Sequence, residues 1–468
     1  MENTKGRIAL RVPAKASLWY VASSAVARAI GALGTPIFTR LLTPEEYGLY
    51  PLYNTWLGVL TVIVTLELTG TVMYRGLQRH REDTDSFIGA VLGLILTLSV
   101  IFLVIYALLG GFINRLTGLG TPEMLLMLVQ IVSTSVISLY TARARFEYRY
   151  KAVAFLNLLT AVASPMLAVL FIASGIRAES RIIGSALALA LTALPILIVT
   201  VRHCGALYSR NTWRYLLGKS LPLMPHYFAM TMILKVGEIA VSRIHGQEAL
   251  GRFSVAMSVG MSLTVVTGGV MSALSPWMLR RVGGGDIWRI RELLFLLTEL
   301  ISLSCLGLFA IAPEALALLA SPAYRSALPA VYPLALSVIP TFLSGALMSG
   351  AAYFERSGIS ALPAVCAACL SAILSLLLLP FVDYRYLSLT VLACYTLLAA
   401  LNVLTFTKMA GSAPIYVRKT LLVFLGTCGY AALLFVIRDV MLSRLILAVP
   451  LVPVVFKVGT RAIKEMRE

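Results

Sequence analysis

Runs of about twenty consecutive apolar residues follow one another along this chain, with only short polar breaks between them. That length is what one α-helix needs to cross the hydrocarbon core of a bilayer. Reading in order, candidate spans fall near residues 17–39, 48–69, 86–113, 122–142, 152–174, 181–201, 220–242, 250–275, 293–312, 329–352, 359–379, 387–407, 418–437 and 442–459. Barrel strands would show segments of about ten residues in strict alternation, and no such alternation appears. The chain is 59% hydrophobic and only 13% charged, with a mean hydropathy of +0.88. Too few polar side chains remain to cover a water-soluble surface. The expected fold is an all-α polytopic membrane protein with about fourteen transmembrane helices.

A formal charge of +18 raises nucleic acid as a partner, but its distribution excludes that reading. Alternate connections carry clusters: Lys5, Arg7, Arg11 and Lys15; Arg75, Arg79 and Arg81; Arg143, Arg145, Arg149 and Lys151; Arg202, Arg210, Arg214 and Lys219. The series continues with Arg280, Arg281, Arg289 and Arg291, then Lys408, Arg418 and Lys419, and ends with Lys457, Arg461, Lys464 and Arg467. The intervening connections carry one or two cations each: Arg40, Arg115, Arg177 with Arg181, Arg325, and Arg385. This is the asymmetry of the positive-inside rule, so both termini are expected in the cytoplasm. The turn from Tyr353 to Gly358 offers only Arg356 on its basic side, so the topology is weakest around spans ten and eleven. The first apolar run lacks a small-residue cleavage site and reads as an uncleaved anchor. Six cysteines lie in or beside apolar runs, which argues against a disulfide framework, and the Cys366–Cys369 pair sits at lipid depth, a poor context for redox or metal chemistry.

The chain repeats itself. SLWYVASSAVARAIGALGTPIFTRLLTPEEYGLY, from Ser17 to Tyr50, aligns without gaps on SLPLMPHYFAMTMILKVGEIAVSRIHGQEALGRF, from Ser220 to Phe253. Arg40 falls on Arg243, Glu45 on Glu248, Gly48 on Gly251 and Tyr50 on Phe253. Six spans separate the copies, so both enter from the same side and the halves are parallel. The expected organisation is an N-terminal six-helix lobe (1–206), a cytoplasmic linker (207–217), a C-terminal six-helix lobe (218–410) around a central cavity, and an appended helix pair with a basic tail (411–468).

The stretch TPIFTRLLTPEEYGLY resembles the first-span exit of the polysaccharide, or oligosaccharidyl-lipid, flippases of the multidrug/oligosaccharidyl-lipid/polysaccharide exporter superfamily. SLPLMPHYFA (Ser220 to Ala229) and SALSPWMLRR (Ser272 to Arg281) are similar to the second half of the same flippases. The resemblance implies a flippase of the bacterial cytoplasmic membrane, not an enzyme. It would move undecaprenyl-pyrophosphate-linked sugar units from inner to outer leaflet by alternating access. It further implies a polyprenyl-pyrophosphate glycan and membrane lipid as partners, a gradient of Na+ or H+ or the membrane potential as driving force, polysaccharide-assembly proteins as neighbours, and no cofactor or metal.

A pyrophosphate at membrane depth must be met by cations, so intramembrane charges are the candidate site residues. Arg28 lies roughly 15 to 18 Å from either end of its helix at about 1.5 Å per residue and cannot snorkel to water; it faces either a wet cavity or a structural partner. Lys235 and Glu238 are three residues apart on one helix face. They form either a lipid-shielded ion pair or a substrate-binding lysine beside a carboxylate that couples transport to an ion. Arg40 and Arg243 are expected at the outer rim, as gate contacts or as interfacial anchors. Glu67 and Glu299 read as snorkelling side chains near span ends. Pro222 and Pro225 beside His226, and Pro329, Pro333 and Pro340, should bend spans seven and ten, with His226 capping freed carbonyls more readily than titrating.

Other functions lack their motifs. Gly283, Gly284 and Gly285 form a turn without the lysine of a phosphate-binding loop, and every predicted outer connection is too short for the carboxylates and histidines of a glycosyltransferase. A multidrug or organic-cation antiporter of the same superfamily is the principal alternative, and a first-span arginine argues against it. A peptidoglycan-precursor flippase would share the pyrophosphate chemistry. A scaffold without transport would have no use for Arg28, Lys235 and Glu238.

Overall fold

The computed structural model describes residues 2–80, 83–147, 149–354, 357–437 and 440–467. Arg81 and Arg356, two of the expected basic-side cations, lie outside the described residues. Every regular element among the described residues is helical, as the run lengths require. Among the described residues, ten helical segments are long and apolar enough to cross a membrane, one of them the 74-residue stretch Arg210–Gly283. Two compact units divide the chain, one comprising Met1–Leu42 and Leu49–Phe228, the other Thr43–Gly48 and Ala229–Glu468.

The first unit contains α1 (Glu2–Leu41), most of α2 (Pro44–Thr65), α3 (Thr71–Arg79), α4 (Thr84–Thr117), α5 (Thr121–Phe146), α6 (Tyr150–Ala173), α7 (Ser180–His203) and α8 (Arg210–Ser220). Local chemistry fixes the ends. Asp83 accepts from the Ser86 amide to start α4, and Gly118 at φ 71° ends it. Helix α6 packs along both α1 and α7. A Cβ on Gly184 would come within 2.6 Å of the Ala168 backbone nitrogen, so small residues let α7 approach α6 closely. The stretch read as a linker over 207–217 folds mostly as α8. Leu216 is fully buried and the Trp213 indole donates to the Ala90 carbonyl at 2.9 Å, which ties α8 to α4. At the same basic end Arg143 pairs with Asp85 and, at 2.7 Å, with Glu147. Helix α2 ends in a turn where Leu66 and Glu67 both take left-handed backbone angles. Glu67 therefore lies in a turn rather than on a helix.

The second unit contains α9 (Met224–Gly260, from Ala229 on), α10 (Thr264–Gly283), α11 (Ile287–Leu319), α12 (Leu328–Leu336), α13 (Val338–Ala351), α14 (Ser357–Leu378), α15 (Leu387–Ala410), α16 (Val417–Val436), α17 (Met441–Ala448) and α18 (Leu451–Arg467). Helix α11 is its axis, packed by α12, α16, α17 and α18, while α15 packs on α12, α13 and α14. The proline-rich places are interrupted. A 3₁₀ turn, Leu221–Leu223, precedes α9, and α12 and α13 are separate helices on either side of Ser337. Expected span seven and the start of span eight lie in α9, broken at Gly246 by φ 86°, and the rest of span eight continues through a 3₁₀ turn, Met261–Leu263, into α10.

The repeated exit segments meet inside this second unit. In the first copy, Thr43 and Glu46 satisfy each other's backbone amides, at 2.8 and 3.2 Å, as a capping box. Gly48 of that copy lies against the Gln247 carbonyl, and Gly251 lies against the Pro44 carbonyl and the Gly48 backbone. The paired glycines noticed as a repeat are thus in mutual contact.

Candidate functional site: a cationic cavity in the first unit

A cavity of about 520 Å³ runs inside the first unit between α1, α5, α6 and α7. From α1, Ser24, Ala27, Arg28, Gly31, Gly34 and Phe38 line it, a spacing of three and four that presents one helical face. The small residues on that face leave room: a Cβ on Gly31 would meet nothing within 4 Å. From α6 come Asn157, Thr160 and Ser164, again one face, polar in an otherwise apolar helix. Helix α7 supplies Arg181 and Ser185, and α5 supplies Gln130 and Arg145.

Among the described residues, three arginines share this lining and no carboxylate does. Arg145, in the last turn of α5, marks the basic end. Arg181, in the first turn of α7, marks the opposite end, where its guanidinium carbon lies 3.9 Å from the Tyr50 ring centroid and 4.7 Å from that of Phe38. Such stacking holds a guanidinium in place without neutralising it. Arg28 lies between them and makes no hydrogen bond or ion pair among the described residues. Ser24 to Phe38 spans fourteen residues of α1, roughly 20 Å of cavity length at 1.5 Å per residue. Gln130 is fixed as an acceptor from Tyr53 at 3.0 Å and from Ser185 at 3.4 Å.

The remaining sequence candidates lie elsewhere. Lys235 Nζ lies 2.8 Å from Glu238 Oε2, and the Glu238 side chain is only 4% exposed. Their segment of α9 packs on α14 and α15: Ser371 donates to the Ile233 carbonyl, and Gly237 lies where a Cβ would reach 2.3 Å from Leu387. Lys235 is not part of the first-unit lining. Arg40 and Arg243 are both exposed and belong to different units; Arg40 donates to the Pro36 carbonyl one turn back. His226 Nδ1 is buried without a hydrogen-bond partner among the described residues, so it does not cap the freed carbonyls. Arg145 and Arg181, read in the sequence only as loop cations, are cavity residues. The signal available for them was the polar stripe Asn157, Thr160, Ser164, which marks a helix face that lipid would not tolerate.

Comparison with known proteins agrees with this architecture. A family model described as polysaccharide biosynthesis protein matches residues 14–281, more than half of the chain. No curated protein matches the chain significantly by sequence. Among solved structures, the lipid II flippase MurJ in an inward closed conformation superposes with a TM-score of 0.69 at 11% identity, covering 95% of this chain and 99% of that one. An inward-facing multidrug resistance MATE family transporter of the MOP superfamily gives 0.62 at 15% identity, covering 82% and 94%. A MOP superfamily transporter from Pyrococcus furiosus, described as having a binding pocket of reverse polarity, gives 0.60 at 14% identity, covering 85% and 96%. At these identities the likeness establishes the fold.

Proposed function

We propose, on the premise that this chain belongs to the polysaccharide biosynthesis protein family, that it flips an undecaprenyl-pyrophosphate-linked oligosaccharide from the inner to the outer leaflet of the bacterial cytoplasmic membrane. The observation that carries the reading is the first-unit cavity, with Arg28, Arg145 and Arg181 and no carboxylate in its lining. A guanidinium at the depth of Arg28 is costly unless an anion or water meets it, and a pyrophosphate supplies both the charge and the forked acceptor geometry that arginine matches. The hydroxyl and amide groups of Asn157, Thr160, Ser164 and Gln130 suit sugar hydroxyls. The polyprenyl tail can remain in lipid throughout. An organic cation would be repelled by the same lining, which argues against a drug antiporter.

Movement by alternating access, coupled to Na+, H+ or the membrane potential, completes the proposal. Glu238 is the buried carboxylate on which such coupling would act. The test is translocation of polyprenyl-pyrophosphate oligosaccharide in vesicles holding the purified protein. Arg28→Ala should leave insertion and melting temperature unchanged, because Arg28 makes no hydrogen bond or ion pair among the described residues, while slowing translocation by about ten- to a hundredfold. Arg28→Lys should retain part of the rate. Normal translocation by Arg28→Ala, or efflux of organic cations in its place, would defeat the assignment.

A further inference from the structure

The cations on the sparse side of the charge pattern are few, yet in the second unit they converge. Arg325, from the 3₁₀ turn Pro322–Ala327, and Arg385, from the 3₁₀ turn Tyr384–Tyr386, line one cavity of about 540 Å³ together with Arg444 of α17. We propose that this cavity is a second anion site, separate from the transport cavity, for the phosphodiester headgroup of an anionic membrane lipid.

Depth is the first argument. At the start of α11, Arg291 donates to the Ala413 carbonyl at 2.7 and 3.0 Å, tying the helix to the basic end. Glu314, in the lining, is twenty-three residues further along α11, roughly 35 Å at 1.5 Å per residue. That exceeds the hydrocarbon thickness of about 30 Å, so the cavity opens at headgroup level on the opposite face.

Charge is the second argument. Arg444, 2% exposed, is gripped by Glu314 at 2.6 and 3.0 Å and by the Ala310 carbonyl. Arg385 is gripped by Asp383 at 2.7 and 3.1 Å. These carboxylates orient two guanidinium groups and cancel two of the three charges. Arg325 is exposed and makes no hydrogen bond or ion pair among the described residues. One uncompensated positive charge remains, which matches a monoanionic phosphodiester better than a polyanion. The rest of the lining suits glyceryl and acyl carbons, with Leu316, Leu328 and Met441 beside Ser326.

The experiment is a titration of the full-length protein in nonionic detergent with dihexanoyl-phosphatidylglycerol, read by isothermal calorimetry, with dihexanoyl-phosphatidylcholine and inorganic phosphate as parallel arms. Saturable binding of the phosphatidylglycerol is expected, weakened about tenfold by Arg325→Gln, less by Arg325→Lys, and held within twofold by Arg28→Ala. The last variant separates this site from the transport cavity. Equal binding of phosphatidylcholine, or an Arg325→Gln affinity within twofold of the native chain, would overturn the site. Binding of inorganic phosphate as tight as that of the lipid would overturn the lipid assignment.

Discussion

Gly48→Ala is a one-methyl test of how the two repeated segments meet. A Cβ at Gly48 would lie 2.0 Å from the Gln247 carbonyl oxygen and 2.6 Å from its carbon, and one at Gly251 would lie 2.5 Å from the Pro44 oxygen. The obstacles are backbone atoms, so no side-chain rotation relieves them. Reaching an ordinary contact of about 3.5 Å requires the segments to part by roughly 1.5 Å. Overpacking of this kind costs about 1–3 kcal/mol, against a gain of up to about 1 kcal/mol for replacing glycine with alanine inside a helix. With the full propensity gain the balance is a loss of up to about 2 kcal/mol. Gly269→Ala in α10 is the control, because a Cβ there meets nothing within 4 Å, so only the propensity gain operates. In detergent, Gly48→Ala should melt below the native protein and Gly269→Ala at or above it. If Gly48→Ala melts with Gly269→Ala, the close approach of the two glycine segments is refuted.

Lys235→Met should destabilise the fold, because it removes the ammonium 2.8 Å from the Glu238 carboxylate, which is 4% exposed. The double variant Lys235→Met/Glu238→Leu should recover most of that loss in thermal unfolding, and a double variant no better than the single would refute the pairing. Outside the spans, burial pushes the Asp383 carboxyl up, but hydrogen bonds from the Arg385 side chain and backbone outweigh this and leave it below its usual range. A depressed carboxylate stabilises the fold above its unfolded pKa of about 3.9 and loses that contribution as pH falls through the lower folded value. Melting temperature compared between the native chain and Asp383→Asn should therefore differ at pH 7 and converge below about pH 4; a constant difference across that range would refute the assignment.

Helix identity was legible because span length is a property of one segment at a time. The short helices α3 and α8 were not, since their sequences are polar and their burial depends on α4. Trp213 reveals its role only once the Ala90 carbonyl is opposite it. Arg28 stood out alone, by depth. Arg145 and Arg181 lie near helix ends, where snorkelling explains a cation equally well, and only the packing of α6 between α1 and α7 turns them into one site. The repeat showed Gly48 and Gly251 as matching letters, but not as partners. Contact is a property of the pair, and no period within either segment encodes it. Lys235 and Glu238 were legible as neighbours because i and i+3 on a helix meet whatever surrounds them.

The number of arginines in the cavity bears on how a flippase can release what it binds. One guanidinium in a low-dielectric site would hold a pyrophosphate strongly, and tight ground-state binding slows departure as much as it favours entry. Arg145, Arg28 and Arg181 instead follow one another along roughly 20 Å of lining, by the rise of α1. A site that is weak enough at each point and shared among several points permits both entry and exit, as in multi-ion conduction. Arg181 is held by its ring stacking, while Arg28 makes no hydrogen bond or ion pair among the described residues. The proposed cargo would pass from Arg28 at mid-depth to the stacked Arg181 at the far end on its way outward.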